Sequence, residues 1–182
     1  MPSLKKPRYG LLFNRPFCTE HIFFDRILNE EVYQVPHLFP TKASREENRA
    51  ICVTAIGNTK PFHCVMTDAI PDLHLTGESQ CFPFYTYDED GSNRRENITD
   101  WALAEFQRRY TPASAQGKGL QPLVGKRTGR AKDKGLKPLA GTISKGDIFY
   151  YVYGVLHHPG YREKYADNLK RELPRIPYAV DF

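Results

Sequence analysis

The sequence predicts an α+β domain, with a β-rich mixed body over residues 8–96, a helix around Trp101 and a helical hairpin towards the C-terminal end. Three observations carry this. Residues 50–56 and 62–67 are short β-prone runs flanking Gly57-Asn58-Thr59-Lys60-Pro61, a turn-forming segment. Further on, Ile148, Tyr151, Val152, Val155 and Leu156 recur at the spacing of one buried helical face. Ser144, with Asp147 three residues later, starts that helix as a capping box in which Asp147 is a shorter substitute for the usual Glu.

The elements follow in chain order. In Asn14-Arg15-Pro16-Phe17, Pro16 fixes the backbone and Phe17 buries, which holds the Arg15 guanidinium on a β-edge. There Arg15 either grips a phosphate or pairs with Asp25 or Glu20, and the ion pair is slightly favoured. After the hairpin at 50–67, Asp88-Glu89-Asp90-Gly91 reads as a solvated acidic turn; the ligand spacing and closing Glu of a calcium loop are missing. The Trp101 helix is expected to pack on the β-rich body through Ile98, Ala102, Phe106 and Tyr110. His157-His158-Pro159-Gly160 interrupts the next helix, because Pro159 has no amide donor. A second helix then runs from about Tyr161 through Tyr165, Leu169 and Leu173 until Pro174 and Pro177 end it, with Arg162, Lys164, Lys170, Arg171 and Arg175 on its outer face. His157 and His158 fall where an imidazolium complements the helix dipole. Phe149, Tyr150, Tyr151 and Tyr153 stand at helical spacing, which favours packing over a base-stacking platform.

With 182 residues and 40% hydrophobic content, the chain suffices for one domain with a real core. It divides into a β-rich body with its terminal helix (1–111), a basic insertion (112–141) and the helical hairpin (142–182). No apolar run approaches the roughly 18 residues of a membrane span, and the start Met1-Pro2-Ser3-Leu4-Lys5-Lys6 lacks a signal-peptide apolar region, so a cytoplasmic location is expected. Cys18, Cys52, Cys64 and Cys81 show no C-x-x-C spacing, which favours reduced and mostly buried thiols over disulfides or zinc.

The net charge of +5 is unevenly spread. Residues 1–111 hold thirteen Lys/Arg against fifteen Asp/Glu, 112–141 seven against one, and 142–182 six against five, so the excess sits in the insertion. That segment is rich in Gly, Lys and Pro and repeats KGLQPL at Lys118 as KGLKPL at Lys134, the composition of a flexible linker. Lys126, Arg127, Arg130, Lys132, Lys134 and Lys137 can track phosphates without reading bases, because each neutralised phosphate releases counterions; a solvated tether is the equal alternative.

A net positive charge invites a nucleic-acid reading, in which base contacts fall to the first 110 residues, where the pattern is β-rich. A two-stranded ribbon or its loop fits a major groove, where Asn58 can pair with adenine, Lys60 or Arg49 with guanine or phosphate, and Thr59 with a base edge or a thymine methyl. Ordinary turn chemistry at Gly57-Asn58 is the competing account of the same residues.

Catalytic signatures are missing from the sequence. It has no Gly-x-x-x-x-Gly-Lys-Ser/Thr loop: Gly117-Lys118 and Gly125-Lys126 both lack the hydroxyl residue. Nor does it contain an Asp/Asn-Pro-Pro-Tyr/Phe motif or a glycine-rich cofactor loop, so no cofactor is expected. Pro71-Asp72 followed by Glu78-Ser79-Gln80 approximates a metal-dependent nuclease core, but Gln80 occupies the place of its lysine. His63 and His74 lie near Cys64 and Cys81 without a zinc-binding spacing.

Residues 144–177 resemble the C-terminal specificity region of the type ISP restriction-modification enzymes, single polypeptides combining a nuclease, a translocating ATPase, an adenine methyltransferase and a target-recognition domain. Asn14-Arg15-Pro16-Phe17 with Phe23-Phe24-Asp25, residues 48–72, Leu73-His74, Ser79-Gln80-Cys81-Phe82-Pro83 and residues 96–103 are similar to it in the correct order. Two departures stand out: the thirty residues of 112–141, where the family has a short connection, and a stop soon after Pro174-Arg175-Ile176-Pro177, where the family's domain continues. The resemblance implies a recognition domain, or part of one, that binds double-stranded DNA while methyltransferase, helicase and nuclease domains outside the chain do the chemistry. In that reading, backbone contacts fix register, groove contacts choose the sequence, and the target adenine is presented for flipping. A protein-interaction fragment docking on a methyltransferase or helicase, a divalent-metal nuclease built on Asp72 and Glu78, and a remnant that binds nothing well are the alternatives.

Overall fold

The structure, a computed structural model, describes residues 9–15, 18–23, 28–29, 32–110 and 143–180, with backbone alone for Tyr9 and Arg15. β1 (Tyr9–Arg15) and β2 (Cys18–Phe23) pair antiparallel, and the register shifts between Phe13 and Arg15. A 3-10 turn at Val35–His37 leads to α1 (Lys42–Glu47). Thr41 begins α1: its hydroxyl accepts the Ser44 amide at 3.1 Å, and the Ser44 hydroxyl accepts the Thr41 amide at 3.0 Å.

The expected hairpin forms next. β3 (Ala50–Thr54) and β4 (Cys64–Thr67) pair antiparallel, with Ala50 opposite Thr67 and Val53 opposite Cys64. β5 (Ile70–Pro71) joins β1 in parallel, and β6 (Ser79–Pro83) pairs antiparallel with the other edge of β3, so the two three-stranded sheets run β2-β1-β5 and β4-β3-β6. Gly10 permits the close approach of β1 to β5, since a Cβ there would lie 2.8 Å from Ile70 Cδ1. β7 (Tyr85–Thr86) and β8 (Arg95–Glu96) form a short ribbon.

Every residue of β3 is buried, because both of its faces are covered. Ile51 and Val53 join Cys64, Phe149, Leu156, Tyr161 and Leu169 in one core, while Ala50 joins Leu38, Phe39 and Ile70 in a second. Asn48, fully buried just before β3, fastens the region by donating to the carbonyls of Leu38 (2.8 Å) and Tyr85 (2.9 Å) and accepting from the Tyr85 amide (2.8 Å). Tyr87 is also buried; burial, then its hydrogen bond to Glu47, pushes its phenol well above the usual range.

The helices are α2 (Asp100–Tyr110), α3 (Lys145–His157), α4 (Pro159–Lys164) and α5 (Ala166–Arg171). The capping box is present: Ser144 Oγ accepts the Asp147 amide at 3.2 Å, and Asp147 Oδ2 accepts the Ser144 amide at 2.9 Å. The arrangement is α+β. No helix among the described residues is long and apolar enough to cross a membrane.

Three local expectations change. The second helix of the hairpin is divided at Tyr165 and ends at Arg171, after which the chain returns extended. Hydrogen bonds explain that path: Tyr161 Oη donates to the Arg175 carbonyl (2.9 Å), Tyr151 Oη to that of Pro177 (2.7 Å) and Tyr110 Oη to that of Ala179 (2.9 Å). Phe106 on α2 meets Tyr151 of α3 and Tyr178 at 5.3 and 5.1 Å between ring centroids, because α3 already covers the β4-β3-β6 sheet through Phe149 and Leu156. His158 caps the start of α4, accepting the Tyr161 amide through Nδ1 at 3.3 Å, rather than the end of α3, and burial lowers the pKa of His157. Arg162 closes the end of α3, donating from Nε to the Leu156 carbonyl at 2.6 Å.

Candidate nucleic-acid interface

The hairpin turn after β3 contains Asn58, Thr59 and Lys60, and the sequence folds it by local chemistry. Gly57 adopts φ +79°, and Asn58 Oδ1 accepts the Lys60 amide at 2.8 Å, closing an Asx turn. The turn does not stand alone. Asn58 Nδ2 donates to the Gly77 carbonyl at 2.7 Å, the Ala55 amide to the Glu78 carbonyl at 2.9 Å, and Thr54 Oγ1 to the Thr76 carbonyl at 3.0 Å. The loop before β6 is thereby tied to the hairpin, and the Gly57 amide ties both to α5 through the Lys170 carbonyl at 3.0 Å.

Gly77 makes this junction sterically possible. It adopts φ +80°, and a Cβ there would lie 2.9 Å from Lys60 Cδ and 3.1 Å from Asn58 Nδ2. The Lys60 stem thus lies against Gly77, and its side chain has no ion-pair partner among the described residues. Glu78 follows with φ +50°, unusual for a residue with a Cβ, and is exposed. Leu73 and Ile56 on the same two loops are 53% and 45% exposed, so the edge mixes charge with apolar surface.

Arg49 is partly buried, and one guanidinium nitrogen donates to the carbonyls of Arg45 (3.2 Å), Glu46 (3.4 Å) and Asn48 (2.6 Å), closing the end of α1. Arg15 lies in β1 opposite Cys18; its side chain, like Asp25, is outside the described residues, and Glu20 accepts a hydrogen bond from Asn14 at 3.1 Å. Lys126, Arg127, Arg130, Lys132, Lys134 and Lys137 are also outside the described residues. The Gly77-Glu78 turn joins this edge although the sequence singles out Glu78 only as half of a nuclease lookalike. The available signal was Thr76-Gly77-Glu78-Ser79 itself, a turn tetrad between two β-prone runs.

No group of three metal-ligating side chains occurs among the described residues, and Asp72 accepts the His74 amide at 2.7 Å within its own loop. The four cysteines are free thiols. Cys64 lies in the core, where burial pushes its thiol up to about 12, and Cys81 donates to Cys52 at 3.0 Å across the β3–β6 pair.

Residues 2–182 match the family described as the type ISP C-terminal specificity domain, and the chain belongs to that family. No curated protein matches it. Among solved structures, the chain is similar to part of DrdV in a DrdV–DNA complex studied by electron cryomicroscopy, with 40% identity and a TM-score of 0.73 over 98% of this chain and 15% of that one. It is also similar to part of a nuclease-deletion mutant of the type ISP restriction-modification enzyme LlaGI in complex with a DNA substrate mimic (28% identity, TM-score 0.63, 96% of this chain and 12% of that one). A third is the ATP-dependent type ISP restriction-modification enzyme LlaBIII bound to DNA (25%, 0.66, 96% and 10%). The chain therefore spans only a small part of the length of each.

Proposed function

We propose that the chain recognises a target sequence in duplex DNA on behalf of a type ISP restriction-modification enzyme. The observation that carries this is its similarity, at 40% identity and over 98% of its length, to a protein whose solved structure is a DNA complex. The tied loops supply a physical means: an exposed, hydrogen-bonded edge carrying Thr59 and a Lys60 without an ion pair among the described residues suits a major groove. Arg15 is a further candidate of the body, Arg49 and Asn58 hold its backbone through their own hydrogen bonds, and Lys126, Arg127, Arg130 and Lys132 add phosphate contacts. Methylation, translocation and cleavage belong to domains outside the chain, which supplies the address and needs no cofactor. Its action belongs in the cytoplasm, where such an enzyme meets DNA.

Selection from a randomised duplex pool, with affinities compared at two salt concentrations, tests the reading. An enriched asymmetric motif is expected. Salt-sensitive binding without enrichment would leave phosphate tracking alone and overturn sequence recognition.

A second reading, docking of the helical part on the methyltransferase or helicase, is favoured by Trp101 on α2 and Tyr150 on α3, which are 73% and 60% exposed. Salt-insensitive binding to such a partner with no affinity for DNA would select it.

A further inference from the structure

We infer that Lys60 and Glu78 form a two-residue reader of a G·C base pair, and that Asn58 acts on DNA only by holding the two loops that present them. This rests on the DNA-recognition reading and assigns its base contacts.

The Asn58 carboxamide is fully used inside the protein. Its oxygen accepts the Lys60 amide at 2.8 Å and its nitrogen donates to the Gly77 carbonyl at 2.7 Å. The bidentate recognition of adenine that an asparagine offers needs both of those atoms. Turning it outward would release two loop hydrogen bonds, so Asn58 is a positioning residue.

Lys60 and Glu78 are in the opposite situation. Both are exposed, they stand on adjacent loops, and among the described residues neither has an ion pair or a side-chain hydrogen bond. They also do not pair with each other, although the Lys60 stem passes over Gly77, the neighbour of Glu78. Both backbones are fixed, Lys60 by the Asn58 turn and Glu78 by the Ala55 amide on its carbonyl at 2.9 Å. In a major groove an ammonium donates to O6 and N7 of guanine, and a carboxylate accepts from N4 of cytosine.

The carboxylate supplies discrimination by penalty. Next to a polyanion, an unpaired Glu78 is repelled and loses its hydration, and only the exocyclic amine of a correctly placed cytosine compensates it. Lys60 offsets the repulsion for any sequence but gains its base contact only at guanine. Glu78 keeps this position in spite of its left-handed backbone, where a glycine would be unstrained.

The test uses the full chain and the randomised duplex pool, with Lys60→Ala, Glu78→Gln, Asn58→Ala and Gly77→Ala beside the native protein. The native chain is expected to enrich a motif containing at least one G·C pair. Glu78→Gln should lose roughly 5- to 100-fold preference at that pair while binding unrelated DNA at least as well. Lys60→Ala should relax the same or the adjacent position. Asn58→Ala and Gly77→Ala, which keep both charged side chains but free or displace them, should weaken preference at both positions with the salt dependence unchanged. Three outcomes would overturn the assignment alone: a native motif untouched by Glu78→Gln, a Lys60→Ala variant that binds every sequence equally less with a salt slope lower by about one, or an Asn58→Ala variant that loses only an adenine. A native chain that enriches no motif would overturn the DNA-recognition reading as well.

Discussion

Around α1, β7 and β8 three arginines are engaged. Arg94 pairs with Glu47 and lies 4.7 Å above the Tyr85 ring, Arg95 pairs with Asp88 at 2.9 Å, and Arg49 closes α1. On α2, Glu105 holds Arg108 at 2.7 Å and Arg109 at 2.8 Å. The tied loops at 54–61 and 72–79 carry fewer cations, yet among the described residues neither Lys60 nor the nearby Glu78 has an ion pair. A paired arginine presents an almost neutral site to a polyanion, whereas an unpaired charge gains counterion release or meets a penalty. Paired arginines therefore mark a belt that holds the fold together, whereas the proposed edge sets a charge on a loop whose backbone is tied at both ends.

The largest test of this contrast is Asn48→Ala. It strips buried partners from Leu38 and Tyr85 in the belt and should cost about 3 kcal/mol in urea unfolding, since each buried group left unsatisfied costs on the order of 1–3 kcal/mol. A change under 1 kcal/mol would mean that the belt relaxes around the loss. Ser144→Ala, which removes the α3 cap far from either region in sequence, should cost about 1 kcal/mol and leave DNA preference intact. Arg94→Ala should change stability by less than about 1 kcal/mol and leave DNA affinity where it was, because exposed pairs contribute little. A fall in affinity of tenfold or more there would place the belt in the interface and break the comparison.

Acid provides the gentlest probe. The Arg108 and Arg109 guanidiniums hold the Glu105 carboxyl at about 2, against an ordinary 4.5. A depressed carboxylate contributes stability that is complete above pH 4.5 and is lost as pH falls through 2. Helix α2 should then loosen across that window, followed by NMR titration of Glu105, whereas titration at an ordinary value would mean that the two arginine pairs do not persist in solution.

Much of this fold was legible because its cues were local. The Ser144–Asp147 box, the turn at 57–61 and the β-prone runs at 50–56 and 62–67 each concern residues within a few positions of one another. The divided second helix was not legible, since it depends on Tyr161 and Tyr151 reaching the carbonyls of Arg175 and Pro177. Nor was the partnership of Asn58 with Gly77, nineteen positions away, to which the side chain of Asn58 gives no clue. Lys60 was legible as a candidate by type, but its isolation from carboxylates depends on tertiary placement.

β3 is buried along its whole length, yet the loops that leave its C-terminal end and precede its partner β6 carry exposed positions. The strand thus separates what must stay constant from what is free to vary. Substitutions at positions 59, 60, 73, 74 and 78 alter no residue of either core, so under the proposed function such a frame would inherit a new target sequence in a few steps without refolding.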